Sequence, residues 1–245
     1  MDFGGKVVLV TGASSGIGEA TAERFAALGA TVAVNSRSSV EEGRAVAERI
    51  GGSYHRADVA DETAVLSMLD EVVATHGGLD VLVNNAGTTQ VIPHADLDAV
   101  TDDVWRRILD VNLLGAWYAS RGAIPHLRES TNGSIVNVTS VAGSNPVGSS
   151  IPYSVSKAGL DQMTILLARA LGPEVRVNAV APGLVRTPWT AGWDKVLAVV
   201  ERTAPMGREA MPEDVAEACA FLAASTFVTG EVLTVDGGHM LDRSM

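Results

Sequence analysis

Thr11-Gly12-Ala13-Ser14-Ser15-Gly16-Ile17-Gly18 stands between a short β-branched run, Lys6–Thr11, and a helical pattern, Ile17–Leu28, that Gly29 stops. An apolar run without alternation predicts a strand buried on both faces. Glycines at 12, 16 and 18 permit a tight turn and let the main chain approach an anion. At a helix N-terminus, free N–H groups and the helix dipole favour that negative charge. The spacing is GxxxGxG rather than GxGxxG, and the loop lacks the lysine of a Walker loop. This strand–loop–helix context predicts a pyrophosphate-binding turn, with Ser14, Ser15 and Ile17 completing the loop around the glycines.

Outward from that loop, apolar runs and helical patterns alternate nearly to the end. Strands are expected at Lys6–Thr11, Thr31–Asn35, Ser53–Arg56, Val81–Asn84, Ser134–Thr139, Arg176–Ala181 and Leu233–Val235. Helices are expected at Ile17–Leu28, Ser39–Ile50 with Ser39 as N-cap, Asp61–Thr75, Thr101–Arg128, Tyr153–Ala170 and Pro212–Ala223. Repeated strand–helix–strand units imply right-handed crossovers and a parallel sheet with helices on both faces. No linker, repeat or low-complexity segment divides the chain. The expectation is an α/β protein: one Rossmann-like, doubly wound domain over residues 1–245.

Bulk properties narrow the function. The chain has 245 residues, 47% apolar and 19% charged, enough for a sizeable core, and a net charge of -11. An acidic surface argues against a nucleic-acid partner, and weakly against docking a strongly acidic carrier protein unless a local basic patch exists. Cys219 is the single cysteine, so no intrachain disulfide or cysteine-rich metal site is possible, and its apolar surroundings suggest an inert buried thiol. The histidines (His55, His76, His94, His126 and His239) lack paired metal-ligand spacing, and no metal is expected. The first strand begins too early for a signal peptide, and no apolar stretch reaches the ~18 residues of a membrane span. A cytoplasmic protein is expected.

The second strand end bears on the cofactor. NAD-binding folds usually place a carboxylate about 20 residues beyond the glycine loop, on the adenosine ribose. Here that region reads Asn35-Ser36-Arg37-Ser38, without an acid. Ser36 and Arg37 would attract a 2′-phosphate, favouring NADP(H) with NAD(H) possible, unless Arg37 is merely a solvated loop residue. Asp58-Val59 and Asn84-Asn85-Ala86-Gly87 follow the third and fourth strands, where ligands of open parallel sheets sit. Asp58 could accept a bond from an adenine amino group, and Ala86-Gly87 could pass close to the cofactor. Either motif could equally be a cap or a turn.

Tyr153 and Lys157 are spaced i,i+4, which puts both on one helix face about 6 Å apart along the axis. A phenol titrates near pH ~10, and a neighbouring ammonium favours its ionised form. Ser140 ends the fifth strand thirteen residues earlier, facing the start of that helix. With these residues in place, the chain resembles the short-chain dehydrogenase/reductase family over essentially its whole length. The matching motifs are Thr11–Gly18, Asn84–Gly87, Asn112 in Val-Asn-Leu, Ser140, Tyr153–Lys157, Pro182-Gly183 with Thr187, and Thr229-Gly230-Glu231 followed by Val235–Gly238.

The resemblance implies roles. Tyr153 is the general acid in reduction or base in oxidation, and Ser140 bonds the substrate oxygen. Lys157 lowers the Tyr153 pKa and bonds the nicotinamide ribose. Asn112 holds a relay water, though it could be an ordinary packing amide. Pro182, Gly183, Val185 and Thr187 hold the carboxamide. Ser15 departs from the basic residue that many NADP-dependent relatives carry in the loop.

Within the family the pattern is most similar to 3-oxoacyl-(acyl-carrier-protein) reductases, implying hydride transfer between NADP(H) and a carbonyl or secondary alcohol. The alternatives are a reductase or dehydrogenase of small ketones, sugars, steroids or quinones, or a catalytically silent nucleotide-binding scaffold. Substrate choice is expected at Ser144–Ile151, after Gly87, and in a loop or lid over about 187–205. Trp189, Trp193, Val147, Ile151 and Pro152 there could form an apolar wall, or the tryptophans could simply pack a lid helix. The resemblance also implies a homotetramer, with a dimer possible, through Thr101–Arg128 and Tyr153–Ala170. Small residues Gly115, Ala116, Ala119, Ala158 and Gly159 would permit the close packing.

Overall fold

Seven strands form the sheet in the computed structural model, which describes residues 1–241. They are β1 (Val7–Val10), β2 (Thr31–Ser36), β3 (Ser53–Arg56), β4 (Val81–Asn84), β5 (Gly133–Val138), β6 (Val175–Pro182) and β7 (Val232–Val235). Their order is β3-β2-β1-β4-β5-β6-β7, and every pairing is parallel. The order reverses between β1 and β4, so the crevice beyond their carboxyl ends is the place where a ligand fits.

The period-2 pleat divides each strand between two cores. Val8, Val10, Val34 and Val136 face α1 (Gly16–Ala27), α2 (Val40–Arg49) and α8 (Pro212–Ala224), through Phe25, Val46 and Leu222. Leu9, Leu82, Ile135 and Val177 face α3 (Glu62–His76), α5 (Gly115–Glu129) and α6 (Ile151–Leu171), through Leu69, Leu127 and Leu167. Cys219 lies wholly inside the first core, and burial pushes its thiol up to about 12. It is inert, as its surroundings in the sequence imply.

Three local departures matter. The single helix expected over Thr101–Arg128 is α4 (Asp102–Leu109), a π-helical turn Asp110–Leu114, and α5. The wider turn centres on Asn112 and lets its side chain point inward. The segment 187–205 contains a helix, α7 (Asp194–Thr203), after a 3₁₀ turn Pro188–Thr190, so of the two expectations, loop or lid helix, the helix is found. Third, Gly115, Ala116 and Ala119 face their own core. A Cβ on Gly115 would lie 2.9 Å from Val59, and Ala119 is fully buried beside β4 and β5. The small residues on α5 therefore serve helix–sheet packing within the chain.

Candidate active site

Four helix starts show where the chain keeps donors free. Asp61 caps α3 by accepting from the N–H groups of Thr63 and Ala64, Thr101 caps α4 through Val104, and Ser150 caps α6 through Tyr153. Ser15 caps α1 with no side-chain bond, although serine is well suited to do so. The first N–H groups of α1 are thus left for another acceptor. Ser39 likewise occupies the N-cap position of α2 without the side-chain bond expected of it.

The glycine loop is rigidly held beneath. Asn85 Nδ2 donates to the carbonyls of Thr11 and Gly12 at 2.9 Å each, and the Thr11 hydroxyl accepts from Asn85 and Ala86 N–H. Asn35, buried in β2, accepts from Gly12 N–H and donates to the carbonyls of His55 and Ala57. Gly12 has φ +62, and a Cβ there would lie 2.8 Å from Ala86 Cα. Gly18 is required for packing, since its Cβ would meet the Gly12 carbonyl at 2.3 Å. Thr11 and Asn85 stand inside the Thr11–Gly18 and Asn84–Gly87 motifs and Asn35 beside Ser36, yet none was given a role, because their work is to hold main chain.

One cavity of about 1460 Å³ opens along the carboxyl edge of the sheet. That exceeds the ~300–1,000 Å³ of a single small-ligand pocket, and leaves room for a dinucleotide with a second molecule. It brings together Gly12, Ser14, Ser15, Gly16, Ile17 and Gly18 with Ser36, Arg37, Asp58, Val59, Ala86 and Gly87. Ser140, Tyr153, Lys157, Pro182, Gly183, Val185 and Thr187 line it too. Among the sequence-based candidates, Asn84 and Asn112 stand outside it, as do Ile151 and Pro152 of the expected apolar wall, whereas Val147, Trp189 and Trp193 line it. Asn84 donates to Ser120 Oγ and Asn137 Oδ1, joining β4 to α5 and β5 inside the core.

At the adenosine end, Arg37 is half exposed and its Nη1 lies 3.4 Å from Asp58 Oδ2. Asp58 also accepts from Ala60 N–H at 3.1 Å, closing a turn. The Ser36 hydroxyl is committed to Tyr54 and to the Ser39 carbonyl, both at 2.9 Å, so Arg37 and the hydroxyls of Ser38 and Ser39 are the groups there that face the cavity.

At the other end, Ser140 ends β5 and begins a 3₁₀ turn, its hydroxyl accepting from Ala142 N–H at 3.2 Å. Tyr153 and Lys157 share the inner face of α6, with Nζ 5.8 Å from the phenol ring centre. Nζ donates to the Val138 carbonyl at 2.9 Å. Burial holds Lys157 down at about 8, opposed by the Asp161 carboxylate one turn on. Burial also pushes the Tyr153 phenol above its ordinary value, and the Ser140 hydroxyl offsets part of this. Desolvation is the larger influence on the phenol, opposite in direction to the fall that the resemblance implies. Asn112 accepts from Thr88 N–H at 2.7 Å and donates to the Thr88 carbonyl and Ser156 Oγ at 3.0 Å each. Both its amide hydrogens are spent tying the segment after β4 to α6.

Residues 187–196 border this end. Trp189 meets Tyr153 edge to face, with ring centres 6.4 Å apart at 68°. A helix N-terminus with free donors, a close main-chain cradle and a Ser–Tyr–Lys group with a buried lysine thus share one crevice. Comparison with known proteins agrees. Residues 12–240 match the family model described as enoyl-(acyl carrier protein) reductase.

The chain belongs to the short-chain dehydrogenase/reductase family.

A protein of Streptomyces violaceoruber named as ketoacyl reductase 2 of the granaticin polyketide synthase is 53% identical, with 96% of each chain covered. A cis-4-hydroxycyclohexanecarboxylate dehydrogenase of Sinomonas cyclohexanicum is 41% identical, with 97% of each covered. The structure of a Brucella melitensis 3-ketoacyl-(acyl-carrier-protein) reductase complexed with NADH superposes at a TM-score of 0.91, with 34% identity over 97% of this chain and 99% of that one. The present chain is accordingly a short-chain oxidoreductase that uses a nicotinamide cofactor on a small-molecule substrate. Among the described residues, no helix is long and apolar enough to cross a membrane.

Proposed function

We propose that this short-chain dehydrogenase/reductase uses NADP(H) to reduce a ketone, with a 3-oxoacyl thioester as the preferred substrate. The observation that carries the reading is the junction, in one crevice, of the uncapped α1 start with Ser140, Tyr153 and Lys157. The residues fit a dinucleotide: the N–H groups after Ser15 face the cavity where a pyrophosphate would sit, and the main chain at Ala86 and Gly87 runs alongside. Arg37, with no acid at 35–38, supports a 2′-phosphate. Asp58 and Val59 flank the adenine end, while Pro182, Gly183, Val185 and Thr187 border the nicotinamide end. When bound, the nicotinamide supplies or accepts the hydride.

The protein's own part is positional and protonic. Tyr153, raised by burial, is protonated at neutral pH and gives its proton to the carbonyl oxygen as the alcohol forms. Ser140 donates to that oxygen and stabilises its developing charge. Lys157, still cationic below about pH 8, favours the phenolate left behind and lies within reach of a ribose. Asn112 fixes Thr88 and Ser156 around the group, and any relay water would rest on its main chain, because its amide is engaged. The segment 187–205, with Trp189 and α7, acts as the substrate lid.

A thioester arm finds support at the rim, where His94, Arg107 and Lys195 line the cavity of an otherwise acidic chain. The second reading, oxidation or reduction of small cyclic alcohols and ketones, is favoured by the 41% identity to a hydroxycyclohexanecarboxylate dehydrogenase. Exposed Val155, Ile165 and Leu166 on α6 support homotetramer assembly through α4–α5 and α6, and the composition supports a cytoplasmic setting.

NADPH and NADH oxidation measured across acetoacetyl-thioesters, small ketones, diketones, quinones and keto-sugars tests the proposal. Fast NADPH-linked thioester reduction is expected. Thioester inactivity with turnover of another carbonyl would transfer the assignment to the second reading.

A further inference from the structure

Asp161 stands one turn beyond Lys157 on α6, at the i,i+4 spacing that already joins Lys157 to Tyr153. Tyr153, Lys157 and Asp161 therefore follow one another down the inner face of the helix, about 6 Å apart along its axis. Opposite them runs the end of β5 and the 3₁₀ turn that starts after Ser140. Lys157 Nζ meets that segment at the Val138 carbonyl, at 2.9 Å. Asp161 meets it at Gly143. A Cβ on Gly143 would lie 2.5 Å from Asp161 Oδ2, and 3.0 Å from both the Lys157 carbonyl carbon and the Ala158 nitrogen. The carboxylate is thus wedged where the turn carrying Ser140 rests on the helix carrying Tyr153.

A carboxylate suits that place poorly if it only packs. Aspartate is a weak helix former, and Asp161 Oδ1 is sealed from solvent with no hydrogen-bond partner among the described residues. A buried charge left unpaired is strongly destabilising. Burial raises the Asp161 carboxyl above its ordinary value, and the Thr139 hydroxyl and the Lys157 ammonium pull it back. Lys157 in turn is lowered by burial to about 8 and raised by Asp161. The elements packed most closely on α6 are α4, the π-helical turn, the 3₁₀ turn after β5, and β6. Their charged residues, Asp102, Asp103, Arg106, Arg107, Asp110 and Arg176, act on neither member of the pair. Tyr153 is the remaining titratable group on this face, its ring centre 5.8 Å from Nζ.

We propose that Asp161 is a positioning residue whose carboxylate is the counter-charge that keeps Lys157 cationic where Tyr153 gives up its proton. This rests on the proton-donor reading above. As the phenol O–H breaks, its proton goes to the substrate oxygen and its electron pair stays on the phenolate. The ammonium that stabilises this anion survives in a buried place because the next helical turn supplies an opposite charge. Without Asp161, desolvation alone would act on Lys157, and its proton would leave at lower pH. Asp161 is not among the residues that line the cavity, so its effect passes through Lys157.

Lys157 is one of three lysines, with Lys6 and Lys195, so protein labelled with carbon-13 at lysine Cε gives three signals to titrate by NMR. The signal lost in Lys157→Met is that of Lys157. In Asp161→Asn the Lys157 midpoint is expected to fall by about one pH unit or more, and Asp161→Glu should restore most of the difference. kcat/KM for carbonyl reduction with NADPH should lose its basic limb earlier in Asp161→Asn. The variant should be about fivefold slower than wild type near pH 8, with a far smaller loss near pH 6. An unmoved Lys157 midpoint, or a loss of kcat/KM that is uniform in pH, would overturn the proposal. If Asp161→Asn does not fold, the unsubstituted protein decides. Acid titration of Asp161 should then shift the Lys157 signal, and a flat signal overturns the proposal. Because the lysine titration needs no turnover, failure to reduce any carbonyl would remove the reductase reading and leave this result standing.

Discussion

At its nucleotide end the cavity is made of main chain: positive-φ glycines, the unclaimed N–H groups of α1, and one exposed Arg37–Asp58 pair. At its catalytic end it is made of side chains, with Lys157 buried, Tyr153 shielded, and Asn112 locked between two elements. The first end binds by geometry that a Cβ would obstruct. The second works by charge states that burial has moved. Substitutions should therefore fail differently at the two ends, through affinity at one and through turnover or pH response at the other.

The largest effect should come from Tyr153→Phe. Removal of the proton donor is expected to lower kcat about 10²–10⁴-fold while the NADPH dissociation constant moves less than about twofold. A variant retaining most of its kcat would dissolve the distinction between the ends. Next is Gly12→Ala, which combines φ +62 with a contact to Ala86 main chain at 2.8 Å. It should weaken NADPH binding at least about tenfold and destabilise the fold by about 1–3 kcal/mol, read by titration and thermal melting. Arg37→Asp should shift the NADPH/NADH ratio of kcat/KM about tenfold or more toward NADH, with NADH kinetics little changed. An unshifted ratio removes Arg37 from phosphate recognition.

The smallest effect sharpens the comparison through stability. Lys157 is held below its ordinary 10.5 at about 8, so below pH 8 the unfolded chain holds that proton more tightly than the folded one. The penalty is full below pH 8, shrinks from pH 8 to 10.5, and vanishes above. It is bounded by about 3 kcal/mol, against which stands about 1–2 kcal/mol for the lost bond to Val138. Lys157→Met should thus be inactive yet melt a few degrees higher at pH 7, with the gain lost near pH 10.5. A lower melting point at pH 7 would show that the hydrogen bond dominates.

The strand–helix alternation was legible because both-face burial leaves continuous Val-rich runs such as Val7–Val10 and Val81–Val83. The glycine loop and the Tyr153–Lys157 pair were legible because positive φ and i,i+4 spacing leave marks in residue type. The roles of Asn35 and Asn85 left no such mark, although Asn85 lies within the Asn84–Gly87 motif, since an amide that holds a carbonyl looks like any other asparagine. The Asn84 placement was misread for a related reason: adjacent residues at a strand end point to opposite faces, and Asn85, not Asn84, borders the crevice. α7 was left open between loop and lid helix because Gly192 and Trp193 at its start resemble a loop, although Leu197 and Val200 supply a buried stripe. The upward shift of Tyr153 could not be foreseen either, because desolvation depends on how the surrounding elements pack, which residue type does not reveal.

The lid is also tethered. Thr203 at the end of α7 bonds His239, Met206 N–H donates to the Gly237 carbonyl, and Pro205 lies over Gly238. The turn after β7 thus anchors the end of the segment 187–205, whereas the amino-terminal Phe3 packs on Phe25 of α1. Substitutions in that turn are expected to disturb the segment beside Tyr153 more than equally large changes at Phe3.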